Sequence, residues 1–579
     1  MIDVAEWLAR WRSMMVPFLG WIGELKNPQT LRADLLAGVT VALVLVPQSM
    51  AYAQLAGLPP YIGLYASFLP VILAALMGSS RQLATGTVAV VSLMTAAALQ
   101  PLAATGTENY LMYAAVMALM VGVFQIGLGL FRLGVLVDFL SHPVVVGFTN
   151  GAAIIIATSQ ISKLFGVSAP KAEHHYETVW AVLVEASQHT HMATLLMGIL
   201  ALTIMILLKR FLPKVPNVLT AVVVTTVLAY VIGYEAMGGK VVGEVPSGLP
   251  AFKIPNFSVD VVLQLSSAAM TIALIGFMEA VAIAKAIAAQ TRHRLDTNQE
   301  MVGQGIANIA AGMFQGYPVS GSFSRSAVNF TSGAVTGFSS VVTGLVVAIT
   351  LLFLTPLLYH LPQATLAAII VMAVINLVKI EPIKHAMKVQ KHDGIVAIIT
   401  FVLTLMVAPH LEKAIMVGVI LSLGLFVYRT MRPRFSELAL HADGTLRDVD
   451  LHDLPRSDTI SVLRFDGSLY FANAGYFEDK VLAHVASKPR LKYAIFDVEG
   501  INQMDATGEE MLQILVARLK AAGIQIMFAR AKQQLTDIFT ATHFIEHVGA
   551  QHFFRTRTDA INYARAHLGD EITGDTTLA

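Results

Sequence analysis

Between residues 33 and 430 the chain is built almost wholly of apolar runs, each about 20 residues long, the length that crosses a bilayer. In lipid every backbone N–H and C=O must be satisfied within the protein, so such runs fold as helices and little else. The spans read as 33–57, 61–78, 82–99, 111–131, 142–162, 193–211, 216–234, 262–289, 299–317, 322–335, 337–356, 364–379, 392–409 and 412–429, about fourteen in all. Composition agrees. The chain is 55% hydrophobic and 13% charged, against roughly 25% charged for a soluble domain.

Basic residues set an orientation. With the N-terminus inside, the inner loops collect Arg81, Arg132, Lys209, Arg292, Lys379 and Arg432. The outer loops at 100–110 and 357–363 hold no Lys or Arg, as the positive-inside rule requires. An even number of spans then puts both termini in the cytoplasm. Residues 1–32 read as a cytoplasmic or interfacial lead-in and not as a cleavable signal. The expected transmembrane domain is 33–430. After Pro433 the composition turns charged. The runs 459–465, 493–498 and 524–528 read as strands and 508–522 as a helix, so 435–568 is expected to form a small α/β domain. Residues 569–579 read as a flexible tail.

Two spans are interrupted. The run from Gly316 to Asn329 is small and polar, with one charge, Arg325. Pro318 and Gly321 oppose a continuous helix, while Ser322 and Ser324 are good N-caps for one that restarts near Arg325. The other break, Thr85-Gly-Thr-Val-Ala89, opens the third span with the cap-type residues Thr85 and Thr87. The third and tenth spans correspond if the membrane part is two halves of seven, the second inverted. Two half-helix N-termini meeting at mid-membrane would each present about +0.5 charge to one spot, and with Arg325 they suit a compact anion. Packing through small residues is the plainer reading of each motif alone.

Other intramembrane polar residues divide in the same way. Glu279 reads as a proton carrier or as a static ion-pair partner of Arg325. Gln48 and Tyr52, four apart beside Pro47, share a helix face and line a pocket or bond neighbouring helices. His174, His175, His189 and His191 make a poor metal pattern and read as a solvated loop. There is no cysteine, which removes disulfides and thiolate chemistry. No Walker loop, nucleophile elbow or HExxH motif is present, so neither an enzyme nor a bound cofactor or metal is expected. A net charge of +1 gives no reason to expect nucleic acid.

The run from Pro47 to Tyr65, with Gly78–Arg81, Gly86–Leu93, Asn298–Glu300 and Ser324–Ser326, resembles the sulfate-transporter signature of the SulP family. The resemblance covers essentially the whole chain. It implies a helical polytopic protein of about fourteen spans in a seven-plus-seven inverted repeat, with core and gate domains, followed by a cytoplasmic STAS domain. It also implies a homodimer in the cell (inner) membrane. By motif position, Gln48, Tyr52, Thr87, Val88, Ser324 and Arg325 would line an anion site between the third and tenth spans. Glu279 matches a glutamate of the family's proton–sulfate symporters. In the STAS motif Met504-Asp-Ala-Thr-Gly508, alanine stands where soluble relatives carry a phosphorylated serine, leaving only Thr507 available.

The expectation is secondary transport of sulfate or a related small oxyanion, coupled to protons. Anion exchange or sodium-coupled bicarbonate uptake on the same scaffold is the alternative. A membrane sensor signalling through the STAS domain to a cytoplasmic partner is the alternative of a different class.

Overall fold

The computed structural model describes residues 16–134, 141–170, 172–212, 215–256 and 258–568. Residues 1–15 of the expected lead-in and the whole of the expected tail lie outside them. The described chain divides into two compact units, with the division between Ser422 and Leu423.

The first unit is helical. In order its helices are α1 (Pro28–Leu55), α2 (Pro60–Tyr65), α3 (Leu69–Met77), α4 (Ala89–Leu99), α5 (Glu108–Leu130), α6 (His142–Ser159) and α7 (Ile161–Phe165). There follow α8 (His175–His189), α9 (Met192–Phe211), α10 (Asn217–Val231), α11 (Val259–Thr291), α12 (Thr297–Met313) and α13 (Phe323–Thr331). The last are α14 (Phe338–Ile349), α15 (Gln363–Val374), α16 (Glu381–Val389), α17 (Lys391–Val407) and α18 (Leu411–Met431), and α18 continues past the division at Ser422. Every expected span contains at least one of these helices. The second is cut into α2 and α3. The tenth is only the nine residues of α13. Two two-residue strands, β1 (Thr85–Gly86) and β2 (Ser320–Gly321), precede α4 and α13. Among the described residues, 8 spans are long and apolar enough to cross a membrane unaided.

Helices without a hydrophobic drive between them pack where their backbones can approach closely. Glycines seven apart provide that on α5 (Gly122, Gly129) and α12 (Gly305, Gly312), since residues at that interval share a face. A Cβ on Gly122 would fall 2.6 Å from the Gly305 carbonyl, and one on Gly305 would fall 2.8 Å from the Gly122 carbonyl. One on Gly312 would fall 2.6 Å from the Ala115 carbonyl. Asp34 of α1 is wholly buried. Its carboxylate accepts from Val335 N (2.7 Å), Thr336 N (3.1 Å) and Thr336 Oγ1 (2.5 Å). That ties α1 to the loop before α14.

The second unit carries one six-stranded sheet made of β3 (Arg434–Leu440), β4 (Leu446–Asp448), β5 (Ile460–Asp466), β6 (Tyr493–Asp497), β7 (Gln525–Ala529) and β8 (Phe553–Phe554). The strand order is β4-β3-β5-β6-β7-β8. β3 is antiparallel to β4 and β5, and the remaining pairs are parallel. Side chains alternate across the strands. Leu463, Phe465, Phe496 and Phe528 face one way, into a core shared with α20 (Ala474–Ser487) and α21 (Ala506–Ala521), which follow the one-turn α19 (Val449–His452). Ile460, Val462, Ile495 and Met527 face the other, against Ala560, Ile561 and Ala564 near the C-terminus. The expected strands and helix fall on β5, β6, β7 and α21. Asp505 caps α21 by accepting from Gly508 N at 2.8 Å, and Thr507 is exposed in its first turn.

Two outcomes follow. Gly305→Ala should cost about 1–3 kcal/mol through backbone overlap, while Gly127→Ala, with nothing within 4 Å of its Cβ, should be neutral; thermal melting of the detergent-solubilised protein checks both. In the sheet unit, burial holds the His484 imidazole below its usual pKa. The unfolded chain therefore binds the extra proton first, and stability is retained above about pH 6.5 and lost as pH falls below it. Amide exchange in β5, corrected for its intrinsic pH dependence, should quicken over that window, and His484→Gln should flatten the change.

Candidate functional site

The two helix breaks meet. β1 and β2 pair antiparallel, Thr85 opposite Gly321 and Gly86 opposite Ser320. The pairing continues through side chains and backbone. Ser322 N donates to the Ala84 carbonyl at 3.0 Å. Ser326 Oγ accepts from Ala84 N at 2.8 Å, and Asn329 Nδ2 donates to the Gln82 carbonyl at 3.1 Å. The crossing satisfies backbone groups that a broken helix would otherwise leave bare in lipid.

Both half-helices start at this crossing. Val88 occupies the N-cap of α4 with no side-chain cap. This corrects the expectation that Thr85 and Thr87 are caps. Thr85 is held in the strand, its Oγ1 accepting from Gln304 Nε2 at 2.7 Å, and Thr87 offers its carbonyl to Arg325. The N-cap of α13 is Ser322, at a long 3.5 Å from Arg325 N. Ser324 falls inside the helix. The first-turn N–H groups of both helices are thus lightly capped, which leaves their positive ends open to an anion.

Arg325 sits between them, 0% exposed. Nη2 donates to the Thr87 carbonyl at 2.8 Å, and Nη1 reaches Gln48 Oε1 at 3.4 Å. Its Nε and the neighbouring Thr87 Oγ1 find no protein partner. No carboxylate lies within ion-pair distance of Arg325 among the described residues. A buried guanidinium without a counter-charge is costly, so the site favours an incoming negative charge. Gly86 is needed here, since a Cβ would stand 3.2 Å from Nη2.

The structure therefore gathers Gln48, Thr87, Val88 and Arg325 at one point. Tyr52 lies one turn from Gln48 on α1 and is buried. Ser324 is exposed and meets the group only through Ser322 Oγ, 3.5 Å away. Glu279 lies on α11, whose Gly276 carbonyl accepts from Ser320 Oγ at 2.6 Å. It is half-buried and makes no ion pair with Arg325. The static-pair reading of Glu279 is thus not what the structure contains.

Sequence reasoning missed the scaffold behind the site. Glu300, Gln304 and Asn308 form an i, i+4, i+8 stripe on α12. Glu300 accepts from Ser79 N and Ser80 N at 2.9 and 2.8 Å. Gln304 donates to Glu300 at 3.0 Å. Asn308 clasps Val319, accepting from its N–H at 2.8 Å and donating to its carbonyl at 3.0 Å. Three polar residues on one face of an apolar helix were the available signal.

This is a multi-pass membrane protein with a paired-break site and a separate α/β unit. The sulfate permease family profile matches residues 31–400, and that of the STAS domain matches 452–560. The chain is 35% identical to "Sulfate transporter 4.1, chloroplastic" of Arabidopsis thaliana over 576 residues, 96% of this chain and 83% of that one. It is 33% identical over 543 residues to a probable sulfate transporter of Mycobacterium tuberculosis, 92% and 95% of the two chains. Murine Slc26a9, described as an anion transporter in the inward-facing state, superposes with a TM-score of 0.88 at 25% identity, covering 96% and 95%. The transmembrane domain of the cyanobacterial bicarbonate transporter BicA superposes at 0.58 and 25% identity, covering 68% and 98%. The chain belongs to the sulfate permease family. The relatives named are transporters, not enzymes.

Asn308→Ala should cost about 2 kcal/mol, since it leaves both Val319 polar groups buried without partners. Thermal melting reads the loss, and Asn308→Asp should restore only the N–H half of the clasp.

Proposed function

We propose that the protein moves sulfate or a similar small oxyanion across the membrane together with protons, by alternating access. The observation that carries this reading is the buried, carboxylate-free Arg325 between two lightly capped helix N-termini. Gln48, Tyr52, Thr87, Val88 and Ser324 complete the lining, with Tyr52 supplying a phenol and Ser324 a hydroxyl on the exposed side. The names of the plant and mycobacterial relatives support sulfate as the substrate.

Coupling follows from charge. An ionised Glu279 repels a dianion held nearby. Protonation removes the repulsion, so proton and anion each tighten the other's binding by the same factor. One bundle then rocks against the other around the loaded site. Both termini lie in the cytoplasm of a cell (inner) membrane, the unit of function is a homodimer, and the STAS domain meets a cytoplasmic partner. The BicA likeness supports bicarbonate as the substrate of a second reading, in which uptake on the same scaffold is coupled to sodium. Dependence of flux on sodium rather than on a pH gradient would select it.

In proteoliposomes with an imposed pH gradient, the intact protein should accumulate labelled sulfate. Arg325→Ala should weaken sulfate binding by about 100-fold or more, the loss of a charged hydrogen-bonding partner. Glu279→Gln should bind sulfate yet lose pH-driven accumulation. Full accumulation by that variant would sink the coupling scheme.

A further inference from the structure

A cavity of about 450 Å³ lies within the helical unit, and Arg325 is not among its lining residues. It is walled by the C-terminal ends of α1, α4 and α6, the short α7, and the N-terminal ends of α8, α9, α15 and α18. Given the order of the helices, these are all at one end of the bundle, opposite the basic loops. Leu55 of α1 lines it. Leu55 is seven residues beyond Gln48 on the same helix, or about 10 Å at 1.5 Å per residue. Leu93 and Ala97 of α4 line it too, on the helix whose N-terminus forms the Arg325 site. The cavity therefore stands on the line from that site to the far end of the bundle.

Its chemistry is one-sided. The charged residues that line it are Lys163 and Lys240, and no carboxylate is among the lining residues. Lys163, on α7, is half-buried. Its Nζ reaches only Gln54 Oε1, at 3.4 Å, longer than a good N–H···O bond, and it forms no ion pair among the described residues. The amides of Gln100 and Gln363 and the hydroxyl of Ser162 share the cavity. The imidazole of His175 is engaged with Thr158 Oγ1 at 2.8 Å. An ammonium without a counter-ion, flanked by neutral donors in a partly apolar chamber, recognises a small inorganic anion.

We propose that this chamber is a second anion site, with Lys163 as its principal ligand, where the anion pauses between the far-side solution and Arg325. The proposal rests on the anion-transport reading for its purpose, but not for its test. Because the chain lacks cysteine, Ser162→Cys places a single thiol in the chamber of the full-length protein. Its modification by anionic sulfonatoethyl and cationic trimethylammonioethyl methanethiosulfonates is timed, each normalised to a free thiol. The anionic reagent should be favoured by on the order of tenfold. Added Lys163→Gln should abolish that preference, and Lys163→Arg should keep it. Sulfate, bicarbonate or chloride should slow the labelling, and the protection should survive Arg325→Ala even where transport is lost. Equal rates for the two reagents, a preference unaffected by Lys163→Gln, protection by none of the three anions, or protection lost with Arg325→Ala would each overturn it. Loss of sulfate uptake with chamber protection intact would fault the transport reading alone.

Discussion

A guanidinium held at membrane depth without a carboxylate is the constraint around which the helical unit is arranged. Arg325 is anchored by one strong bond, to the Thr87 carbonyl at 2.8 Å, and by a longer one to Gln48. Neither neutralises it. The site therefore keeps a net attraction for negative charge that a salt bridge would have cancelled. That attraction is only useful if the guanidinium stays put. The antiparallel crossing of β1 and β2 fixes both half-helices relative to each other, and so fixes where their positive ends converge.

The crossing is in turn held by side chains that touch no solvent. Asn308 bonds both backbone groups of Val319, and Gln304 bonds Thr85, so α12 braces both strands at once. Glu300 accepts from the N–H groups of Ser79 and Ser80 and from the amide of Gln304. These are static uses of polarity between neutral groups or around an acceptor that finds three donors, although Gln304 Oε1 is left without a partner. What sets Arg325 apart is its charge: its Nε is unmatched, and no carboxylate lies within ion-pair distance of it among the described residues. The close glycine contacts between α5 and α12 supply the rigidity behind α12.

The sheet unit is built on a different principle. Its strands alternate strictly, with phenylalanines on one face and smaller aliphatics on the other, so the hydrophobic effect specifies its register. The helical unit has no such drive between its spans. It relies on small residues and matched polar groups instead.

Much of this was legible in the order of residues alone. Run length and the near-absence of charge dictated a polytopic helical protein. The loss of hydropathy after Pro433 and the strand patterning of 459–465, 493–498 and 524–528 dictated an α/β unit. The resemblance in the Pro47–Tyr65 run pointed to the family that the profile match shows. Pro318 and Gly321 marked the tenth span as broken, and Arg325 stood out as its lone charge. Tertiary structure decided the rest. That the two breaks pair as strands, that Thr85 and Thr87 bond sideways and do not cap, and that Glu300 and Gln304 brace the crossing all depend on contacts between residues more than 200 positions apart; the clasp of Asn308 on Val319 and the absence of a Glu279–Arg325 pair are likewise set by the fold. Local propensity carries no information about such partners. Whether a polar side chain caps, braces or faces a ligand is set by what the fold places opposite it.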